Sequence, residues 1–234
     1  MKISTRILII ISFSLILLGG MLAWFFNQAI DKETNMFFSK YEKSLYEQKQ
    51  AQLKDATKIA IAVMDKIYQD NIAKGATKEK ITQEIKEKLS KAFYFEDNSG
   101  FIFITTEKAI MVFHPKLKFL EGKNLASSKD KNGVLFSQEM VKQAKKGGGF
   151  TNYLFAKKKG GEPKPKIAYT QEFKPYKWTV GTSVFVDNIE DEITILKKES
   201  EEGVRKELIF VLSASAISII LIILISTFLI KKYM

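Results

Sequence analysis

The 234-residue chain contains no cysteine and one histidine, His114, and arginine occurs at only two positions, Arg6 and Arg205. Without cysteine, the protein has no disulfide, no thiolate nucleophile and no thiolate ligand for a metal. One histidine does not supply the ligand cluster of a zinc centre. No nucleophile-elbow motif accompanies His114 to indicate a Ser-His-Asp triad. We therefore expect no metal site, no cofactor and no enzymatic activity.

Charged residues are missing from two long apolar runs, residues 7–26 and 208–230. A helix needs about 20 apolar residues to cross the hydrocarbon core of a bilayer, so both runs are long enough. Lys2 and Arg6, which precede the first run, would also suit a signal peptide. That run ends in the bulky residues 24–26 without a small-residue cleavage site, which favours an uncleaved membrane helix.

Basic residues flank both apolar runs, and short basic tails mark the cytoplasmic side of a membrane protein. A long middle segment crosses the membrane regardless of its charge. We predict a two-pass membrane protein whose termini are cytoplasmic and whose middle segment lies outside the cytoplasm. The predicted segments are cytoplasmic tails at 1–6 and 231–234, transmembrane helices at 7–28 and 208–230, helices at 29–92, a strand-rich domain at 93–189 and a connecting helix at 190–207.

The formal net charge is +11, with 37 lysines and arginines against 26 acidic residues. A basic domain raises the question of nucleic-acid binding. The lysines are spread along the chain, however, and the predicted compartment is wrong for nucleic acid. A solvated lysine surface is the simpler interpretation, and we expect no nucleic-acid partner. A positive field still favours the approach of anionic ligands.

Apolar residues between Asp31 and Asp70 recur mainly at spacings of three and four, without proline or glycine between them. This pattern predicts one long amphipathic helix. Its apolar stripe suits either core packing within the domain or pairing with a second chain, and we expect a homodimer. Thr77 is a candidate N-cap for a second, shorter helix.

The apolar period changes to that of strands after residue 93, and aromatic and β-branched residues become frequent. A helix at 134–146 interrupts these strands. Asp130 and Asn132 could belong to a calcium-binding loop, but no acidic residues follow them at the required spacing. We therefore predict a plain turn. Helices followed by antiparallel strands give an α+β fold. The predicted strands are 101–105, 109–113, 150–156, 167–173 and 178–186, and a turn is predicted at 97–100.

Five sequence motifs follow one another across residues 92–189. They are GFIFITTEKAIMVFHP, LEGKNL, KDKNGVLFSQEMVKQAKKGGGF, NYLF and PKIAYTQEFKPYKWTVGTSVFVDNI. In combination they resemble the single Cache domain of the second type, the extracellular sensor of many bacterial chemoreceptors and sensor kinases. The resemblance implies a PAS-like antiparallel sheet, after a long N-terminal helix, with a small-ligand site on one face. Many family members bind short carboxylates such as acetate, propionate, pyruvate or lactate, so a short carboxylate is the implied ligand.

A carboxylate in a partly dry site needs charge-assisted donors, and arginine is the usual choice. Neither arginine of this chain is placed to reach the site, so we expect lysine, histidine, tyrosine or backbone N–H groups to bind the ligand. Lys166 is the first candidate, because in PKIAY it occupies the position of the lysine in the family pattern. The alternative interpretation is that Lys166 is one surface lysine among many. Tyr169 would add a phenolic hydrogen bond, unless it is an ordinary strand aromatic. His114 is either a donor in the site wall or a strand-end residue that fixes the following loop.

Phe101 and Phe103 share one face of the first strand, and the two isoleucines of FIFIT share the other. One pair should line the ligand site, and we choose the phenylalanines. Tyr153, in NYLF, is the corresponding choice on a later strand. We expect Trp178 in the core rather than in the site.

Our leading hypothesis is a membrane-anchored sensor for chemotaxis or transmembrane signalling, in which a small ligand favours one of two arrangements of sheet and helices. The chain ends soon after the second apolar run, so we expect the output to need a separate or missing cytoplasmic partner. The alternative is a non-sensing Cache-like subunit that docks an acidic partner within a membrane complex.

Overall fold

The computed structural model describes residues 3–95, 99–158 and 160–233. Lys2, Lys159 and the predicted turn residues Asp97 and Asn98 lie outside these ranges. The chain divides into two compact units. We call Lys43–Glu190 the sheet unit, and Met1–Glu42 together with Asp191–Met234 the helical unit.

The described residues form four α-helices and five strands, which is the predicted α+β fold with a long N-terminal helix. In chain order the elements are α1 (Ile3–Ile72), α2 (Lys78–Leu89), β1 (Ile102–Thr105), β2 (Met111–Phe113), α3 (Phe136–Lys145), β3 (Gly149–Ala156), β4 (Pro163–Phe173), β5 (Trp178–Phe185) and α4 (Asp187–Tyr233). Short 3-10 turns lie at Lys118–Leu120 and Lys174–Tyr176. Thr77 caps α2 as predicted, because its hydroxyl accepts the backbone N–H of Lys80 at 3.4 Å.

In the helical unit, α1 and α4 each contain a stretch long and apolar enough to cross a membrane. Large apolar side chains along both stretches, such as Phe13 and Leu224, are exposed. Outside these stretches the two helices contact each other. Phe38 is buried, Lys197 Nζ lies 5.9 Å from its ring centre, and Tyr41 donates a hydrogen bond to Glu192 at 3.3 Å.

In the sheet unit, the strands form one antiparallel sheet in the order β2-β1-β5-β4-β3. The register sets Lys166 of β4 opposite Tyr153 of β3 and Phe185 of β5. β4 begins at Pro163, earlier than the predicted residue 167. Before Lys166, β4 pairs with β3 but not with β5. The first residues of β4 therefore have a strand neighbour on one side only, as in an edge strand, where prolines such as Pro163 and Pro165 are tolerated.

One face of the sheet packs on α1 and α2. The core cluster joins Met64 and Ile67 of α1 to Ile85 of α2 and to the sheet residues Ile104 and Trp178. The predicted apolar stripe of α1 is thus used, at these positions, for packing within the unit. Trp178 lies in the core as predicted.

The opposite face of the sheet is covered by α3. Met140 packs with Phe103, Tyr153 and Ala168, and the Thr170 hydroxyl donates a hydrogen bond to the Met140 carbonyl at 2.8 Å. Burial of this apolar cluster fixes α3 on the sheet, because each large apolar side chain contributes about 1.5–3 kcal/mol when removed from water.

The turn before α3 is organised by Asp130. Its carboxylate accepts the backbone N–H groups of Asn132, Val134 and Leu154 at 2.8–2.9 Å. The side chain therefore ties the turn to β3 and is occupied by the chain itself. The predicted turn is present, with the Gly133 N–H donating to the Asp130 carbonyl at 3.0 Å.

Candidate ligand-binding site

The candidate site is built around Lys166 on the α3 side of the sheet. Side chains alternate along a strand, and Lys166 shares its face with Ala168 and Thr170, both of which contact α3 or its cluster. Tyr153 and Phe185 lie directly opposite Lys166 on the neighbouring strands, and opposite residues of antiparallel strands share a face. The fold therefore brings a cation, a phenol and an aromatic ring together.

The ammonium of Lys166 lies between two aromatic rings. Its Nζ is 4.6 Å from the ring centre of Phe185 and 5.0 Å from that of Phe155. Burial, and secondarily the charge of Lys116, lowers the pKa of Lys166 to about 8. Within the described residues, Lys166 has no ion-pair partner. The site thus holds a partly desolvated cation, which an anion would stabilise.

His114 is buried, with 8% of its surface exposed, and its ring lies 4.9 Å from that of Phe101. Its Nδ1 accepts the backbone N–H of Leu117 at 3.0 Å. Burial, followed by the charge of Lys166, lowers the pKa of His114 to about 4. The ring is therefore neutral at neutral pH, and because Nδ1 is an acceptor its proton is on Nε2. His114 fixes the loop through one nitrogen and has a donor on the other.

Lys116 is a second cation at this site, and sequence reasoning missed it. Its Nζ lies 5.3 Å from the ring centre of Phe101 and 5.7 Å from that of Phe93. Its charge lowers the pKa of both Lys166 and His114, so it is close to both groups. The position of Lys116 just after His114-Pro115 was a weak signal among so many lysines.

Tyr153 supplies a neutral hydroxyl. The side chain is buried and its ring stacks on Phe136 at 4.9 Å. Burial raises the pKa of Tyr153, and a hydrogen bond with the side chain of Ser183 opposes this shift. Ser183 is buried on β5, and no local pattern pointed to it.

The two predicted phenylalanines have different neighbours. Phe101 contacts His114 and Lys116, whereas Phe103 packs in the apolar cluster under α3 with Met140 and Tyr153. Both are buried. Phe101 is thus a candidate wall of the site, and Phe103 supports it from the core.

The structure does not bring Tyr169 together with Lys166. Tyr169 lies three positions after Lys166 on β4, an odd offset, so strand alternation places their side chains on opposite faces. The Tyr169 ring packs on Phe150 at 4.9 Å, and its hydroxyl donates a hydrogen bond to Gln171 at 3.4 Å. Of the six predicted residues, Lys166, His114, Tyr153 and Phe101 gather around the site, with Phe103 beneath it.

These groups are hydrogen-bond donors and aromatic walls. The described residues contain no group of three or more histidine, aspartate or glutamate side chains suited to a metal ion. A cation, a neutral imidazole and a phenol thus lie together on one face of an antiparallel sheet, and groups of these kinds could hold a small polar ligand. Two candidate membrane helices flank this site in the sequence.

A family model for the Cache domain matches residues 28–213, and the chain belongs to the Cache domain family. The sensor histidine kinase MctS of Rhizobium johnstonii is 26% identical over 149 residues, which cover 64% of this chain and 31% of that protein. The methyl-accepting chemotaxis protein McpP of Pseudomonas putida is 28% identical over 149 residues, covering 63% of this chain and 27% of that protein. The chain therefore spans about a third of the length of these relatives.

Solved structures of sensor domains share the fold. A periplasmic sensor domain of a chemotaxis protein is 25% identical with a TM-score of 0.55, covering 60% of this chain and 97% of that one. A Cache chemosensory domain, solved to explain carboxylic acid recognition, is 28% identical with a TM-score of 0.56, covering 62% of this chain and 97% of that one. The sheet and its helices are thus the Cache sensor module of chemoreceptors and sensor kinases.

Proposed function

We propose that this chain is a membrane receptor whose sheet unit lies outside the cytoplasm and binds a short carboxylate. The observation that carries the proposal is the Lys166 ammonium, which is partly buried between Phe155 and Phe185 and has no ion-pair partner among the described residues. A carboxylate would supply the opposite charge, and charge-assisted hydrogen bonds are strongest in a partly dry site.

Two neutral donors complete the proposed carboxylate site. The Nε2–H of His114 and the phenol of Tyr153 suit carboxylate oxygens that Lys166 leaves unbound, and the Phe101 ring offers an apolar wall for a short carbon chain. The Cache chemosensory domain solved for carboxylic acid recognition, at 28% identity, supports the same ligand class here.

Signalling follows from the place of the site in the chain. Phe185, which contacts Lys166, lies two residues before Asp187, where α4 begins. Lys157 Nζ forms an ion pair with Asp187 at 2.8 Å and lies 5.2 Å from the Phe185 ring centre. A ligand that binds one arrangement of these groups better than another would shift the population of states at the start of α4. The chemotaxis and kinase relatives support transmembrane signalling or chemotaxis through a cytoplasmic partner, separate or carried by a longer chain.

The test is calorimetric titration of the full chain in lipid nanodiscs. Acetate, propionate, pyruvate and lactate are compared with the neutral amides acetamide and propionamide. We expect carboxylates to bind, the amides not to bind, and Lys166→Met to abolish binding. Lys164→Met is the matched control, because Lys164 lies two residues earlier on β4, is 44% exposed and pairs with Glu162 instead.

Absence of binding by every carboxylate to a folded chain would refute the sensor proposal. The docking subunit would then be the better explanation, and capture of acidic membrane partners on the wild-type chain would be the next measurement.

We also propose a homodimer. Ile59 and Val63 lie one helical turn apart on α1 of the sheet unit, and they are 65% and 41% exposed. Exposed apolar side chains on a helix outside its packed stripe suit a helix–helix contact between copies. Analytical ultracentrifugation of the chain in detergent should give the dimer mass, and a monomer at all concentrations would contradict this proposal.

A further inference from the structure

Tyr94 and Phe101, which lie between α2 and β1, have their side chains on opposite faces of the sheet. The Tyr94 hydroxyl forms a hydrogen bond with the hydroxyl of Thr182, which is fully buried on β5. Thr182 pairs with Ile102, which belongs to the core cluster on α1 and α2, so Tyr94 reaches that face. Phe101 immediately precedes Ile102, points to the other face by alternation, and contacts the ring of His114 at 4.9 Å.

Two backbone hydrogen bonds join Tyr94 to Gly100, the residue before Phe101. The Tyr94 N–H donates to the Gly100 carbonyl and the Gly100 N–H donates to the Tyr94 carbonyl, each at 3.0 Å. We call this pair of hydrogen bonds the Tyr94–Gly100 bridge. The Tyr94 ring lies so close to Gly100 that a Cβ atom at this position would overlap it. Because Gly100 is bonded covalently to Phe101 and by hydrogen bonds to Tyr94, a shift of Phe101 moves the backbone of Tyr94.

The next residue, Phe95, contacts α1 in a backbone conformation that is unfavourable for phenylalanine. Its φ angle is 65°, in the left-handed region that few residues other than glycine, asparagine and aspartate adopt. The Phe95 ring lies 4.8 Å from that of Tyr94, and Nζ of Lys49, on α1, lies 4.8 Å from its centre. These contacts offset part of the backbone strain. Strained residues are concentrated at ligand clamps and switch regions.

We infer that the Tyr94–Gly100 bridge couples the ligand site to α1. A ligand against Phe101 would hold Gly100 in place, and with it the strained backbone at Phe95. Binding and the contact between Lys49 and Phe95 then favour each other, and such coupling is reciprocal. The coupling rests on the proposed ligand site, and it adds to that proposal a connection to the N-terminal helix. Since α1 also contains a stretch that is long and apolar enough to cross a membrane, the bridge gives binding a second route to a membrane helix, besides the start of α4.

The first test needs no ligand, because the amide of Gly100 reports directly on the bridge. Hydrogen exchange is measured on the full chain in lipid nanodiscs, with Lys49→Met as the variant that removes the ammonium from α1 and leaves the bridge residues unchanged. We expect exchange at Gly100 to be about two- to fivefold faster, which is the range that one partly exposed cation–π contact can transmit. Lys54→Met is the matched control, because Lys54 is an exposed lysine further along the same helix, and it should leave this rate unchanged.

The second test measures ligand affinity in titrations of acetate, propionate, pyruvate and lactate. For the carboxylates that bind the wild type, Lys49→Met should lower the affinity about two- to fivefold, although α1 packs on the opposite face of the sheet from Lys166. Phe95→Gly removes the ring and accepts the left-handed conformation without strain. If Lys49 acts through Phe95, the double variant should bind no more weakly than Phe95→Gly alone.

Exchange at Gly100 that Lys49→Met leaves unchanged, or a faster rate that Lys54→Met shares, would overturn the coupling. Equal carboxylate affinities in the wild type and Lys49→Met would overturn it as well, while leaving the carboxylate proposal intact. If no carboxylate binds but exchange at Gly100 still responds to Lys49→Met alone, the proposed function fails and the link between α1 and the bridge is supported.

Discussion

Replacing Lys166 by methionine should stabilise the sheet unit while it abolishes ligand binding. Methionine is unbranched and only one atom shorter than lysine, and it removes the charge. A fall of the lysine pKa from 10.5 to about 8 corresponds to about 3 kcal/mol of unfavourable free energy for the charged form in the folded state. Loss of two cation–π contacts offsets about 1–2 kcal/mol of that gain. The expected net stabilisation is about 1–2 kcal/mol.

The assay is thermal unfolding followed by tryptophan fluorescence. Trp178 lies in the core of the sheet unit, and the other tryptophan, Trp24, lies in the first apolar run. A gain of 1–2 kcal/mol in a domain of this size raises the melting temperature by roughly 3–8 °C. Lys164→Met should leave the melting temperature nearly unchanged, because that lysine is exposed and its ion pair is weak.

The pH dependence of stability provides a second check that the charge of Lys166 is destabilising. The folded-state pKa of Lys166 is lower than its unfolded-state value, so its unfavourable contribution is fully present below pH 8 and disappears as pH rises toward the unfolded pKa. The stability advantage of Lys166→Met should therefore be largest near neutral pH and vanish above about pH 10. A variant less stable than the wild type at neutral pH, or an advantage that does not change with pH, would refute the description of Lys166 as an uncompensated buried cation.

Three further substitutions test other parts of the description. His114→Asn retains an acceptor for the Leu117 N–H but removes the Nε2 donor, so carboxylate affinity should fall about tenfold while stability at neutral pH changes little. In the wild type, the lowered pKa of His114 predicts that stability is lost as the pH falls from about 6.5 to 4. Calorimetry should find a smaller loss of stability over this pH range in His114→Asn. Tyr153→Phe should weaken binding in the same titration, whereas Tyr169→Phe, on the opposite face, should not; equal effects would contradict the assignment of faces. Asp130→Ala removes the acceptor of three backbone N–H groups and should lower the free energy of unfolding by about 2–3 kcal/mol in denaturant titrations, without changing ligand selectivity.

Much of the fold was predictable because periodicity reports directly on secondary structure. The three- and four-residue spacing in α1, the N-cap at Thr77 and the aromatic and β-branched run of β1 each depend on residues close together in sequence. The start of β4 was not predictable in this way. Pro163 and Pro165 argue locally against a strand, and only the shorter partner β5 explains why they are accepted there.

The candidate site was predictable in part. The family motif singled out Lys166, and the scarcity of histidine singled out His114. Tyr169 could have been set apart from Lys166 by alternation alone, since the two residues are an odd number of positions, three, apart within one strand. Lys116 and Ser183 were missed because their roles depend on contacts between the end of β2, β1, β3 and β5, which no local pattern encodes.

What distinguishes Lys166 from the other lysines is its surroundings rather than its identity. Phe155 and Phe185 come from two different strands, and together they partly remove the ammonium from water. A residue chosen for stability alone would be apolar at this position, because a desolvated charge without a described partner costs more than the ring contacts return. Departures from local consistency of this kind concentrate at functional sites. The same charge that makes the ligand-free sheet unit less stable is the one that a bound carboxylate would compensate, so stability and binding should change in opposite directions when it is removed.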